Sequence, residues 1–298
     1  MKVIKAKVLG FCMGVRSAVD LVTSAASGNE KYSVFTLGSL IHNPKVLDDL
    51  KALGVRTVTY DQIMRDKLVT RNCTVVIRAH GISPGLEKYL RSKDFKVIDA
   101  TCPRVKTNQI KTQELSQSAY CIFIAGETNE QGLKHAELAG LLGYANTAPF
   151  NAVVSNAEEA RLAASSLYKI NENAKTALLG QTTISNDEYQ AIANEIKKYF
   201  PNLEIINTIC AATNERQDAL REILTETDAI IVAGGEESAN TRRLFAIAKE
   251  SGKPCVLVEN AKQIPEEFFS YDVIGISAGA STPDTIIDEI EQTLINNI

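Results

Sequence analysis

No run of 18 consecutive apolar residues occurs in this 298-residue chain, so no stretch reads as a membrane-spanning helix. The chain starts Met1-Lys2 without a long apolar segment behind it, and Arg16 and Asp20 interrupt the first apolar pattern. No secretory leader is expected, and the chain is read as cytoplasmic. It also lacks a basic excess: 32 Lys and Arg against 36 Asp and Glu give a net charge of −4 and a pI near 5.6. That balance argues against a nucleic-acid partner. A small anion remains open, because a local pocket can be positive on an acidic protein. Closely spaced cysteine pairs are missing as well. The six cysteines show neither the paired ligands of a zinc finger nor the tight run of a ferredoxin. In a reducing compartment they are not expected to form disulfides. Histidine is scarce, with three in the chain. No low-complexity linker, overt repeat or nucleotide-binding fingerprint is present.

What is present alternates. Short runs rich in Val, Ile and Leu, at 74–77, 121–125, 176–179, 230–233, 255–258 and 273–276, read as buried parallel strands. Between them lie stretches of helical period. Val15, Ala18, Val19, Val22 and Ala26 share one helix face, and Val46, Leu47, Leu50 and Leu53 form another, with Gly54 as its stop. Asn43-Pro44, Ser83-Pro84 and Thr282-Pro283 each pair a capping side chain with proline, which marks a helix start. Strand–helix alternation along the whole chain predicts an α/β protein with parallel sheets. Ligands of such sheets bind at the carboxyl ends of the strands.

Three cysteines share one context. Cys12, Cys102 and Cys210 each stand where an apolar run ends and a helix-like stretch begins, 90 and 108 residues apart. That spacing suggests three α/β units, placed at 1–100, 101–206 and 207–298. A thiol at a helix start is favoured as thiolate, the form that binds metal. The spacing alone does not name the metal. Cys73, Cys121 and Cys255 lie in or beside apolar strands and read as small buried hydrophobes. His42 and His80 follow strands and precede marked helix starts; His135 also follows a strand, at a greater distance. Polar segments 180–183, 234–240 and 277–281 follow strands too, and their hydroxyls and amides could cap helices. Together with the histidines they would suit a polyanion without many lysines or arginines.

The ordered motifs GFCMGV from Gly10, HNP from His42, RAHG from Arg78, DATCP from Asp99, QTT from Gln181, CAAT from Cys210, SAN from Ser238 and AGAS from Ala278 resemble the family of 4-hydroxy-3-methylbut-2-enyl diphosphate reductases. The likeness runs from about residue 8 to about residue 285. The resemblance implies three similar α/β domains, with mainly parallel sheets, arranged as a trefoil around a central cavity. It implies a [4Fe–4S] cluster held by Cys12, Cys102 and Cys210, with one iron left without a protein ligand and able to bind the substrate hydroxyl. It implies two-electron reductive dehydroxylation to isopentenyl and dimethylallyl diphosphate. Glu137 matches the family acid and Thr182 the threonine beside the hydroxyl. His42, His80, His135, Ser238, Asn240 and Ser281 match diphosphate contacts. Glu127 and Glu130 are rival acids, and Ala136 stands where the family has proline. A ferredoxin or flavodoxin would supply the electrons. Other classes stay open: an iron–sulfur sensor, a zinc hydrolase, or a binding module with structural cysteines.

Overall fold

The computed structural model describes residues 1–28, 33–65, 73–93, 95–126 and 136–296. In chain order the elements alternate almost without exception. They begin β1 (Lys2–Lys5), α1 (Met13–Ser27), β2 (Ser33–Leu37), α2 (Pro44–Ala52), β3 (Arg56–Val58), α3 (Tyr60–Arg65), β4 (Cys73–Ile77), α4 (Pro84–Ser92) and β5 (Lys96–Asp99). They continue α5 (Pro103–Gln117), β6 (Cys121–Ala125), α6 (Ala136–Tyr144), β7 (Asn151–Val154), α7 (Ala157–Ile170), β8 (Thr176–Gly180), α8 (Asn186–Lys197) and β9 (Glu204–Ile205). They finish α9 (Ala211–Leu224), β10 (Ala229–Ala233), α10 (Ala239–Glu250), β11 (Cys255–Val258), β12 (Val273–Ala278) and α11 (Asp284–Asn296).

The strands form three four-stranded sheets, in the orders β3-β2-β4-β5, β7-β6-β8-β9 and β1-β12-β10-β11. The expected α/β class with parallel sheets is therefore what the chain adopts. In the third sheet β1 runs parallel to β12, with Lys2 opposite Val273, so the first strand joins the last one. By contact the chain divides into two compact units. One comprises Met1–Glu30, Gly38–Thr57 and Ala211–Ile298, and contains the third sheet; the other comprises Lys31–Leu37 and Val58–Cys210.

Each central strand is buried on both faces, which explains the unbroken apolar runs. In the second sheet Phe123 and Leu178 pack with Ala160, Ala164 and Ile192 of α7 and α8. Their neighbours Ile122, Ile124 and Leu179 face Leu115, Leu138 and Leu141 of α5 and α6. In the third sheet Ile231, Ile274 and Ile276 meet Ile287, Ile290 and Leu294 of α11. Ile230 and Val232 meet Leu220 and Ile223 of α9 and Leu244 of α10. This two-sided burial fixes the strand ends and hence the loops beyond them.

The helix starts obey the capping rule in two of the three expected places. Asn43 Oδ1 accepts from Val46 N at 3.2 Å, and Ser83 Oγ from Leu86 N at 3.4 Å. Thr282 behaves differently. Its hydroxyl donates to the Ala233 carbonyl at 2.9 Å, tying the loop to β10, and α11 begins only at Asp284. Gly54 stops α2 as expected, at φ +83°, a conformation that glycine adopts without strain.

Candidate active site

The loops and helix starts at the carboxyl ends of the strands carry every described candidate for metal, acid or diphosphate binding. They fall into two groups, one in each unit. His135, Glu127 and Glu130 lie outside the described residues.

The first group sits on the third sheet and the loop after β2. Cys12 caps α1 in an extended conformation, and its N–H donates to the Ala280 carbonyl at 3.1 Å. Phe11 beside it lies under the Arg16 guanidinium, 5.6 Å from the ring centre, and Arg16 pairs with Asp284 at 3.1 Å. Asn240 Oδ1 accepts from Ala280 N at 2.9 Å, so one amide side chain fixes the loop beyond β12. Ser281 Oγ donates to the His42 carbonyl at 3.2 Å. Ser238 caps α10 by accepting from Thr241 N at 3.4 Å. Glycine is required at 235, where a Cβ would stand 2.7 Å from the His42 carbonyl oxygen. Among the described residues, Asn240 Nδ2, Thr241 Oγ1 and Ser277 Oγ are buried without a hydrogen-bond partner. Buried donors are rarely left so. Three unspent ones, two in the first turn of α10 and one near the end of β12, suit a ligand rich in acceptor oxygens.

The second group is joined through Thr182, in the loop after β8. Glu137 opens α6 and is 1% exposed. Its Oε1 accepts from Thr182 N at 2.9 Å and its Oε2 from Thr182 Oγ1 at 2.9 Å. The Thr182 carbonyl in turn accepts from Cys210 N at 3.0 Å. One threonine thus connects the buried acid to one of the three singled-out cysteines. Burial raises the Glu137 carboxyl to about 7, against the pull of the two Thr182 hydrogen bonds. An acid of that strength exchanges its proton near neutrality.

The strand leading to Cys210 is shorter than the apolar run 205–209 suggested. β9 has two residues, after which Thr208 Oγ1 replaces the backbone ladder and accepts from Gly180 N at 2.7 Å. The Thr208 carbonyl accepts from Asn108 Nδ2 of α5 at 3.3 Å. Since α5 follows directly on Cys102, this bond ties the Cys102 helix to the Cys210 loop. Cys102 N donates to the Ala79 carbonyl at 2.9 Å, which brings in the His80 turn. Gly81 completes that turn at φ +70°, with Gln109 packed against it. The helper residues Asn108, Thr208 and Gln109 were not singled out in the sequence. For Asn108 and Gln109 the signal was available: polar side chains on the face of α5 that also buries Val105 and Leu115.

All six cysteines are thiols rather than disulfides. Cys73, Cys121 and Cys255 lie in strands β4, β6 and β11, and burial pushes their thiols up, Cys73 to about 11. Burial thus favours the neutral thiol at all three. Cys12, Cys102 and Cys210 are half-buried, each one residue before a helix. Among the described residues no three His, Cys, Asp or Glu side chains are gathered closely enough to hold a single metal ion. A four-iron cluster sets a different demand, since each thiolate binds its own iron. The donor set suits it: soft thiols at helix starts, with the hard carboxylate kept on Thr182.

Fold and loops together define an α/β enzyme of three parallel sheets with a buried acid of raised pKa. Residues 3–295 match the family model described as LytB protein. The 4-hydroxy-3-methylbut-2-enyl diphosphate reductase of Treponema denticola is 46% identical over 297 residues, covering 99% of each chain. That of Aquifex aeolicus is 35% identical, over 98% of this chain and 95% of the relative. Among solved structures, the E-1-hydroxy-2-methyl-but-2-enyl-4-diphosphate reductase of Plasmodium falciparum superposes with a TM-score of 0.86 at 26% identity, covering 98% of this chain and 87% of that one. The chain belongs to the LytB family, whose curated relatives are 4-hydroxy-3-methylbut-2-enyl diphosphate reductases. The resemblance carried by the ordered motifs holds at the level of family, fold and enzyme class.

Proposed function

We propose that this chain reduces (E)-4-hydroxy-3-methylbut-2-enyl diphosphate to isopentenyl and dimethylallyl diphosphate. The observation that carries the reading is the Glu137–Thr182 pair: a buried acid of pKa about 7, held by a threonine whose carbonyl accepts from Cys210 N. The substrate gains two electrons and two protons. Its C–O bond breaks, the oxygen leaves as water, and a C–H bond forms on the allyl fragment. Departure of hydroxide is poor and departure of water is good, so a donor that is protonated near pH 7 lowers the barrier. Glu137 is assigned that role. Thr182 orients it, through N–H and hydroxyl, toward the hydroxyl end of the substrate.

Cys12, Cys102 and Cys210 are the residues proposed to hold a [4Fe–4S] cluster. When bound, such a cluster supplies the electrons one at a time and, with three thiolates, an iron open to an oxygen ligand. The diphosphate is assigned to His42, His80, His135, Ser238, Asn240 and Ser281. Support comes from the unspent donors Asn240 Nδ2, Thr241 Oγ1 and Ser277 Oγ and from the place of the described residues at the carboxyl ends of strands. Neutral donors and helix starts bind a polyanion on a protein whose net charge is −4. The electron donor is assigned as a ferredoxin or flavodoxin, and six cysteines that form no disulfide fit the assigned cytoplasmic setting.

The test is product identification. Anaerobic protein loaded with iron and sulfide, given substrate and reductant, should release the two five-carbon diphosphates, separated and identified by mass after phosphatase treatment. Recovery of unchanged substrate from protein of full iron content would reject the assignment.

A further inference from the structure

The first two turns of α9 bury Thr213, Arg216 and Gln217, where the later turns bury Ala219, Leu220 and Ile223. Arg216 is 3% exposed. Its Nε and Nη2 both donate to the carbonyl of Gly10, at 3.2 and 2.6 Å, and its Nη1 donates to the Ala212 carbonyl at 2.7 Å. The acceptor is a constrained position. Gly10 has φ +74°, and a Cβ there would stand 2.7 Å from Ile287 Cδ1. On its other side the segment is held by amides: Gly10 N donates to Ala278 O at 3.3 Å and Cys12 N to Ala280 O at 3.1 Å. The backbone that presents Cys12 is therefore clamped from two directions, and the guanidinium is one jaw.

A guanidinium is a costly choice for this task. It keeps its charge in proteins, and burying a charge is unfavourable unless hydrogen bonds and an opposite charge compensate it. A neutral amide could satisfy one carbonyl. What the fork adds is a fixed direction and a permanent positive charge two residues from Cys12. An anionic thiolate group there would use both.

We propose that Arg216 is a positioning residue for the cluster: its fork sets the Gly10 conformation that presents Cys12, and its charge favours the reduced state of the group Cys12 holds. This rests on the assignment of Cys12 as a cluster ligand. The sign follows from electrostatics: a nearby cation stabilises the added electron, so its removal makes reduction harder.

The experiment uses the full chain, reconstituted anaerobically with iron and sulfide, as wild type, Arg216→Lys and Arg216→Gln. An iron chelator is added and the decay of the visible cluster absorbance is followed, and the midpoint potential is measured by dye titration. Loss of the charge-assisted fork should speed decay about tenfold in both variants. The potential should fall in Arg216→Gln and stay near wild type in Arg216→Lys, which keeps the charge. Arg221→Gln, on the exposed side of the same helix, should change neither quantity. If Arg216→Gln is insoluble, Arg216→Lys still carries the decay test. Wild-type decay in Arg216→Lys, or a wild-type potential in Arg216→Gln, would overturn the corresponding half of the proposal, whatever the melting temperatures. A wild-type chain that takes up no iron or sulfide would instead reject the cluster assignment itself.

Discussion

Replacing Glu137 by Gln keeps the shape of the buried side chain and removes its proton chemistry. The glutamine carbonyl can still accept from Thr182 N, and its amide can donate to Thr182 Oγ1, the reverse of the bond seen at 2.9 Å. The fold should survive. Two magnitudes follow. A general acid contributes about 10²- to 10⁴-fold to rate, so turnover should fall by at least about a hundredfold at unchanged iron content. Stability should respond to pH in the opposite sense. In the fold the carboxyl is harder to ionise than in the open chain, rising from 4.5 to about 7. Its contribution is complete below about pH 4.5 and is lost as pH rises through 7, a difference of roughly 3 kcal/mol between the limits. The Glu137→Gln variant has no such loss. In urea unfolding at pH 5 and pH 8.5, the stability of the variant relative to wild type should therefore shift in its favour at the higher pH. Turnover within about tenfold of wild type would remove Glu137 as the donor. An equal pH response in both proteins would remove the buried, proton-holding carboxyl on which the assignment rests.

Four further outcomes are expected. Serine at Cys12, Cys102 or Cys210 should abolish iron retention on reconstitution, whereas serine at Cys73 should leave iron per chain unchanged. Thr182→Val removes one of the two hydrogen bonds that favour the ionised Glu137, so the alkaline limb of the pH–rate profile should move to higher pH. Thr208→Val leaves the buried Gly180 N–H without its acceptor and should cost about 1–3 kcal/mol in urea unfolding. Asn240→Asp keeps the acceptor that holds Ala280 N but turns the unspent amide donor into negative charge, so KM for the diphosphate should rise at least about tenfold, and a carboxylate at this buried position should also lower the melting temperature.

Local chemistry was legible in this sequence, and long-range pairing was not. The apolar run at 121–125 coincides with β6, all five residues of which are buried, because a strand covered on both faces must be apolar throughout. Asn43 and Ser83 cap helices by accepting from a backbone amide three residues on. Thr282 has the same dipeptide signature but finds the Ala233 carbonyl, a partner 49 residues away that no local rule shows. The segments before Cys12 and Cys210 read as strands but leave their ladders early. A left-handed Gly10 turns one, and the Thr208 hydroxyl ends the other by taking the Gly180 amide. The membership of Lys2–Lys5 in the sheet of Val273–Ala278 is likewise a pairing across nearly the whole chain.

The site divides in the same way. Cys12, Cys102 and Cys210 stood out by their own surroundings. Glu137 and Thr182 were named through motif order alone, since 45 residues separate them and neither signals the other. Arg216 went unnoticed, although a charged residue between Thr213 and Leu220 on the buried face of a helix breaks the expected pattern. Such a break in helical period is visible in the order of the residues alone.

The proposed function requires joint action of a thiolate-held cluster and the Glu137 acid on one allylic diphosphate. It is tested most directly by anaerobic oxidation of a reduced viologen that depends on added 4-hydroxy-3-methylbut-2-enyl diphosphate, measured before and after exposure to air and in Cys102→Ser. Turnover that air abolishes and that the variant lacks is the expected result. Substrate-independent oxidation, or activity retained in Cys102→Ser, would contradict it.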